Sequence, residues 1–141
     1  MKRILGICIA TAAVFASGYW LGNEQAVEAA SARVFELRTY TAAPGKLEDL
    51  KARFRDHTVR LFEKHGMTNI GYWVPMDGET AGNTVIYLLA YPSREARQTA
   101  WAAFGADPDW RKARAASEAN GRVTTKVESV FLAPTDFSPL Q

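Results

Sequence analysis

From Val34 to Thr41 the side chains alternate, with Phe35, Leu37 and Thr39 on one face and Glu36, Arg38 and Tyr40 on the other. A period of two predicts a β-strand. Pro44-Gly45 breaks it, and Leu47, Leu50, Phe54, Thr58, Leu61 and His65 then recur every three or four residues, as the apolar stripe of an amphipathic helix does. Pro44 suits the opening of that helix, where a missing N–H costs nothing, and Gly66 suits its left-handed cap. Met67 to Met76, with Ile70, Tyr72, Trp73 and Val74, reads as a second strand, and Asp77-Gly78 starts a polar turn reaching Asn83. Thr84 to Tyr91 is the most apolar stretch of the chain beyond its first thirty or so residues and predicts a central strand. Both its faces, Val85/Tyr87/Leu89/Tyr91 and Ile86/Leu88/Ala90, are apolar, so both are expected to be covered. Ser93 caps a helix through Phe104, Gly105 interrupts it, and Asp107-Pro108 restarts one with an N-cap and a proline in its first turn. Asn120-Gly121 stops that helix, and Arg122 to Leu132 is the last strand.

Strand, helix, strand, strand, helix, strand is the order of an α+β fold, the ferredoxin-like βαββαβ sandwich, with four antiparallel strands and both helices on one face. The helices cover one side of the sheet only. A second copy of the sheet is the simplest cover for the other, which predicts a homodimer closed as a dimeric α+β barrel.

The first thirty residues follow a different pattern. Lys2-Arg3 precedes a run from Ile4 to Leu21 without a charge, and Ala30-Ser31-Ala32 or Val27-Glu28-Ala29 offers a cleavage site. This is the layout of a secretory signal, or, uncleaved, of a membrane tether through residues 4–21. The expected organisation is therefore a signal peptide or N-terminal anchor with a connector over 1–32, one domain over 33–134, and a C-terminal tail over 135–141. The expected location is periplasmic or secreted, or else membrane-anchored by the N-terminus. Cys8, the single cysteine of the 141 residues, lies inside the apolar run, so the domain has no thiol catalysis, no disulfide and no zinc–cysteine site.

A net charge of only +2, from 17 basic and 15 acidic residues, scattered without a basic run, excludes a nucleic-acid stripe. Gly66, Gly71, Gly78 and Gly82 are wrongly spaced for a phosphate loop, and no nucleophile elbow is present. The two histidines, His57 and His65, are eight residues apart, which does not suit a two-histidine metal site on one helix.

The segment Phe35-Glu36-Leu37-Arg38-Thr39-Tyr40 followed by Pro44-Gly45-Lys46, then Gly71-Tyr72-Trp73, Gly78, Asn83, Tyr91, Arg97 and Asp107-Pro108-Asp109-Trp110, resembles the NIPSNAP family in order and over most of the domain. The resemblance implies a ferredoxin-like dimeric α+β barrel and no established common chemistry. Eukaryotic members are associated with mitochondria and with binding roles, a setting from which an export signal departs.

Candidate chemistry lies on the polar face of the first strand. If the apolar set faces the helices, Glu36, Arg38 and Tyr40 face the barrel interior or the partner, beside Lys126 and Glu128 of the last strand. There they form either a structural charge ladder or a lumen gripping an anionic or carbonyl-bearing ligand through Arg38, with Tyr40 as donor. Trp73 and Tyr87 complete the ligand-binding candidates, with His57, at the edge of the helix stripe, as either a packing residue or a haem ligand or base. His65 suits the helix C-terminus, and Trp101 and Trp110 read as core or interface anchors. The expected function is a noncatalytic dimer binding a small molecule or a protein, with no cofactor. The alternatives are a small-molecule enzyme of the lumen, of the cofactor-free monooxygenase or isomerase type, and a haem-handling protein.

Overall fold

The computed structural model describes residues 33–141, so the expected signal peptide or membrane tether and its expected cleavage sites lie outside the described residues. Among those residues no helix is long and apolar enough to cross a membrane. Strand β1 (Val34–Ala42) leads into helix α1 (Leu47–Arg53), a π-helical turn (Phe54–Thr58) and α2 (Val59–Lys64). Strands β2 (Thr68–Trp73) and β3 (Thr84–Tyr91), helices α3 (Arg94–Ala106) and α4 (Pro108–Ser117), and β4 (Thr124–Leu132) follow. The sheet is fully antiparallel in the order β2-β3-β1-β4, so the fold is α+β and ferredoxin-like.

The breakpoints lie where backbone chemistry requires them. Gly66 and Gly121 sit at positive φ, 78° and 102°, a conformation open to glycine at little cost. Ser93 Oγ accepts from the Ala96 N–H at 3.1 Å, and Asp107 Oδ1 accepts from that of Asp109 at 2.8 Å, each satisfying an orphan donor of a first helical turn. Gly105 is absorbed into α3 instead of interrupting it, and Pro44 belongs to the turn before α1. The first helix is also less regular than its stripe implies. Thr58 Oγ donates to the Arg53 carbonyl at 3.1 Å, five residues back, which satisfies an acceptor inside the π-turn.

The face assignment corrects the sequence expectation. Register places Glu36 opposite Leu89, Arg38 opposite Tyr87 and Tyr40 opposite Val85. This row faces the helices, because Arg97 and Trp101 of α3 both donate to Glu36. Val85, Tyr87, Leu89 and Tyr91 are almost wholly buried there, packed with Leu50, Phe54, Leu61, Phe62 and Phe104. Leu37, Ile86 and Leu88 lie on the opposite, uncovered side with Trp73, Val130 and Leu132, and the last three are exposed. Lys126 and Glu128 also sit on that side, opposite Thr41 and Thr39, where they pair with each other at 2.9 Å. They therefore make no ladder with Glu36 and Arg38. Replacing the cap in Ser93→Ala is expected to cost about 1 kcal/mol of stability, read as a lower urea midpoint at unchanged slope.

Candidate functional site

Glu36 has no solvent exposure. A carboxylate taken out of water is costly unless it is paired and hydrogen-bonded, and here six donor atoms from three strands and one helix converge on it. Oε1 accepts from Arg38 Nη1 at 2.6 Å, Arg97 Nη2 at 2.7 Å and Ser129 Oγ at 2.6 Å. Oε2 accepts from the Tyr91 hydroxyl at 2.8 Å, Arg97 Nε at 3.0 Å and Trp101 Nε1 at 3.3 Å. Burial pushes the Glu36 pKa up, but the hydrogen bonds from Arg97, Ser129 and Tyr91 and the Arg38 charge outweigh it and hold the carboxyl at about 2.

Arg38 is engaged just as completely. Its Nε donates to the Tyr87 hydroxyl at 2.9 Å and its Nη2 to that of Tyr40 at 3.4 Å, while the guanidinium lies 4.2 Å from the Trp101 ring centre. Burial works against its charge, yet Tyr87, Tyr40 and Glu36 keep the guanidinium firmly protonated. Burial also raises the pKa of the Tyr87 and Tyr91 hydroxyls, so both remain neutral near pH 7. The cluster is thus a saturated network, with neither a free base nor a free donor fork for a ligand.

Beside it lies a pocket of about 170 Å³ between sheet and helices. Its walls are the rings of Tyr40, Phe54, Phe62, Trp101, Phe104 and Trp110, closed by Arg53, Thr58 and Gly105. The rings meet edge-on or tilted, as in Phe62–Trp101 at 5.3 Å and Phe104–Trp110 at 4.5 Å, arrangements favoured by the ring quadrupoles. The π-turn brings Phe54 and Thr58 to this wall together with Arg53, which directly precedes it.

Of the residues singled out from sequence, Glu36, Arg38, Tyr40 and Tyr87 are brought together. They meet between the sheet and the helices of one chain, not in a lumen between two sheets, because their partners are on α3 and β3. Trp73 is 52 % exposed at the end of β2, on the uncovered face, where its indole lies against Gly71. A Cβ on Gly71 would come within 2.5 Å of that ring. His57 is exposed on the π-turn and does not line the aromatic pocket, so it has no geometry for an axial ligand of a haem held there. His65 Nε2 lies 2.7 Å from Asp107 Oδ2, which Lys64 also reaches at 2.8 Å. These two neighbours hold the Asp107 carboxyl well below the usual range. Arg53, the one charged residue in the pocket wall, has no signal in the sequence beyond its place at the edge of the helix stripe.

The NIPSNAP family model matches residues 35–139. No curated protein sequence matches the chain. Among solved structures, a NIPSNAP family protein with unknown function (Atu4242) from Agrobacterium tumefaciens is 23% identical at a TM-score of 0.68, with 78% of this chain and 95% of that one aligned. SnoaB, a cofactor-independent oxygenase from Streptomyces nogalater, aligns over 77% of this chain and 99% of its own, at 15% identity and a TM-score of 0.53. A monooxygenase from Streptomyces coelicolor, ActVA-Orf6, aligns over 78% and 94% at 18% identity and 0.53. At these identities the likeness shows the shared fold and not a shared reaction.

The pH dependence of stability follows from Glu36. Its folded pKa lies below the unfolded value of about 4.3. Its contribution is therefore complete above that value and is lost as the pH falls toward about 2. The low Asp107 pKa acts in the same direction. Urea midpoints are expected to fall steeply below pH 4.5, and Glu36→Gln, which leaves two arginines without their carboxylate, to cost about 3–5 kcal/mol at neutral pH.

Proposed function

The chain belongs to the NIPSNAP family, and we propose that it acts as a noncatalytic dimer binding a small aromatic molecule between its sheet and its helices. The pocket lining carries this reading: six aromatic rings, polar groups confined to Tyr40, Arg53, Thr58 and the two indole N–H groups, and no carboxylate, imidazole or thiol in the wall. Such a lining recognises a flat apolar ligand but supplies no group for proton transfer near neutral pH. Glu36, which accepts from the wall residue Trp101, takes up no proton there, since its pKa is held at about 2.

Ligand entry is expected to quench Trp101 and Trp110 fluorescence when a single-ring compound such as benzyl alcohol is titrated in. Gly105 lines the pocket and a Cβ there meets nothing within 4 Å, so Gly105→Leu should fold and abolish the quench. An unchanged quench in that variant would locate binding elsewhere. Oxygen uptake in the presence of a bound phenol would replace the binding reading by the turnover that the oxygenases of the same fold perform.

Support for the dimer comes from the uncovered face. Trp73, Val130 and Leu132 are exposed there beside half-buried Leu37, Ile86 and Leu88, a contiguous apolar patch of the kind that marks an interface. Two-fold packing of two such sheets covers it. Light scattering is expected to give twice the chain mass at micromolar concentration. Leu88→Asp should yield a folded monomer or an aggregate, whereas Tyr87→Asp, on the helix side, should prevent folding. A stable wild-type monomer would remove the dimer from the proposal.

A further inference from the structure

We infer that the pocket's ligand is an aromatic carboxylate, its ring among the aromatic side chains and its carboxylate at Arg53; this rests on the binding role proposed above. Arg53 is only 5 % exposed. Its Nη1 reaches Ser117 Oγ at 3.3 Å and Glu118 Oε1 at 3.2 Å, and its Nη2 reaches Thr124 Oγ1 at 3.1 Å. Its Nε has no hydrogen-bond partner, the one buried side-chain nitrogen or oxygen so placed among the described residues. Buried donors are nearly always satisfied, so an unpartnered Nε on a residue of the pocket wall marks where a planar anion would complete the guanidinium's hydrogen bonds.

The surroundings specify the rest of the ligand. Arg53, Tyr40 and Trp110 line both the aromatic pocket and an adjoining open space of about 290 Å³. Arg114 and Arg122 border that second space with Glu118, so three cations including Arg53 face one carboxylate. Glu118 is already shared between Arg53 and Arg114, both at 3.2 Å. Arg122 makes no ion pair among the described residues. An electropositive mouth of this kind attracts anions. The inner space of about 170 Å³ is close to the roughly 150 Å³ of a cavity that accepts benzene, so it holds one ring. A neutral aromatic would leave Nε unpaired, and a bare anion would leave the ring-lined space unfilled. One molecule carrying both groups satisfies both.

Isothermal titration of the full chain with benzoate, benzamide and acetate at low salt and pH 7 tests this. Benzoate is expected to bind at least about tenfold more tightly than its neutral isostere benzamide, and acetate to show no measurable binding. Arg53→Lys keeps a charge but loses the fork, and should bring the benzoate-to-benzamide ratio to within about twofold. Its fold is checked by thermal unfolding. Arg122→Ala, at an exposed position, provides a variant that does not disturb the interior. It should weaken benzoate about two- to threefold, more at low salt than at high, and leave benzamide unchanged. Equal affinity for benzoate and benzamide overturns the carboxylate inference and leaves aromatic binding standing. Acetate binding as tight as benzoate's reduces the site to a simple anion site and also overturns it. Absence of binding by any of the three overturns this inference and the binding role together.

Discussion

A carboxylate with no solvent exposure, Glu36, sets the terms for the whole domain. Its six donor atoms come from β1, β3, α3 and β4, so none of these elements can shift without leaving a buried charge unpaired. Buried ion pairs often add little net stability over well-packed apolar residues, and their effect here is on uniqueness. A one-residue slip of β1 would turn Glu36 and Arg38 to the other face, where neither Arg97 nor Trp101 could follow. The apolar periodicity of β1 alone would favour that slip, because it would turn Phe35 and Leu37 toward the helices. The charge cluster forbids it.

The same cluster explains the inverted faces. Sequence pattern pairs apolar residues with the core, and by that rule Phe35 and Leu37 belong under the helices. They do not lie there, because α3 carries Arg97 and Trp101 on its inner side and β3 carries the Tyr87 and Tyr91 hydroxyls. These groups make a polar floor that only the Glu36/Arg38/Tyr40 row can satisfy. The apolar row is turned outward as a consequence. The exposed apolar patch on that face thus follows from the interior electrostatics.

Much of the architecture was legible because it rests on local signals. Ser93, Asp107-Pro108, Gly66 and Gly121 each mark an end by backbone chemistry that acts over a few residues, and the apolar stripe from Leu50 to Leu61 identifies the buried side of the first helix. The π-turn was not legible, since a single Thr58 hydroxyl bond to the Arg53 carbonyl leaves the three-to-four spacing almost unchanged. Four residues of the polar cluster were found through the alternation of β1 and β3. Their orientation was not, because Arg97 and Ser129 lie 61 and 93 positions away from Glu36, and alternation says nothing about contacts at that range.

The two arginines facing the helix-side interior show why the site and the scaffold must be told apart by satisfaction and not by residue type. Arg38 stands in the sequence where a ligand-gripping cation is expected, on a strand between a carboxylate and a tyrosine. In the fold its Nε, Nη1 and Nη2 all have partners, and Trp101 covers its face. An added anion would have to displace Glu36, with which Arg38 shares a buried pair. Arg53 has the opposite character. It lies within a helix stripe that predicts packing, yet it is held by longer contacts, borders an aromatic space large enough for one ring, and keeps one donor open. The recognition we propose therefore falls on the helix side at the π-turn, while the more conspicuous charges of β1 hold the frame in which that turn is fixed.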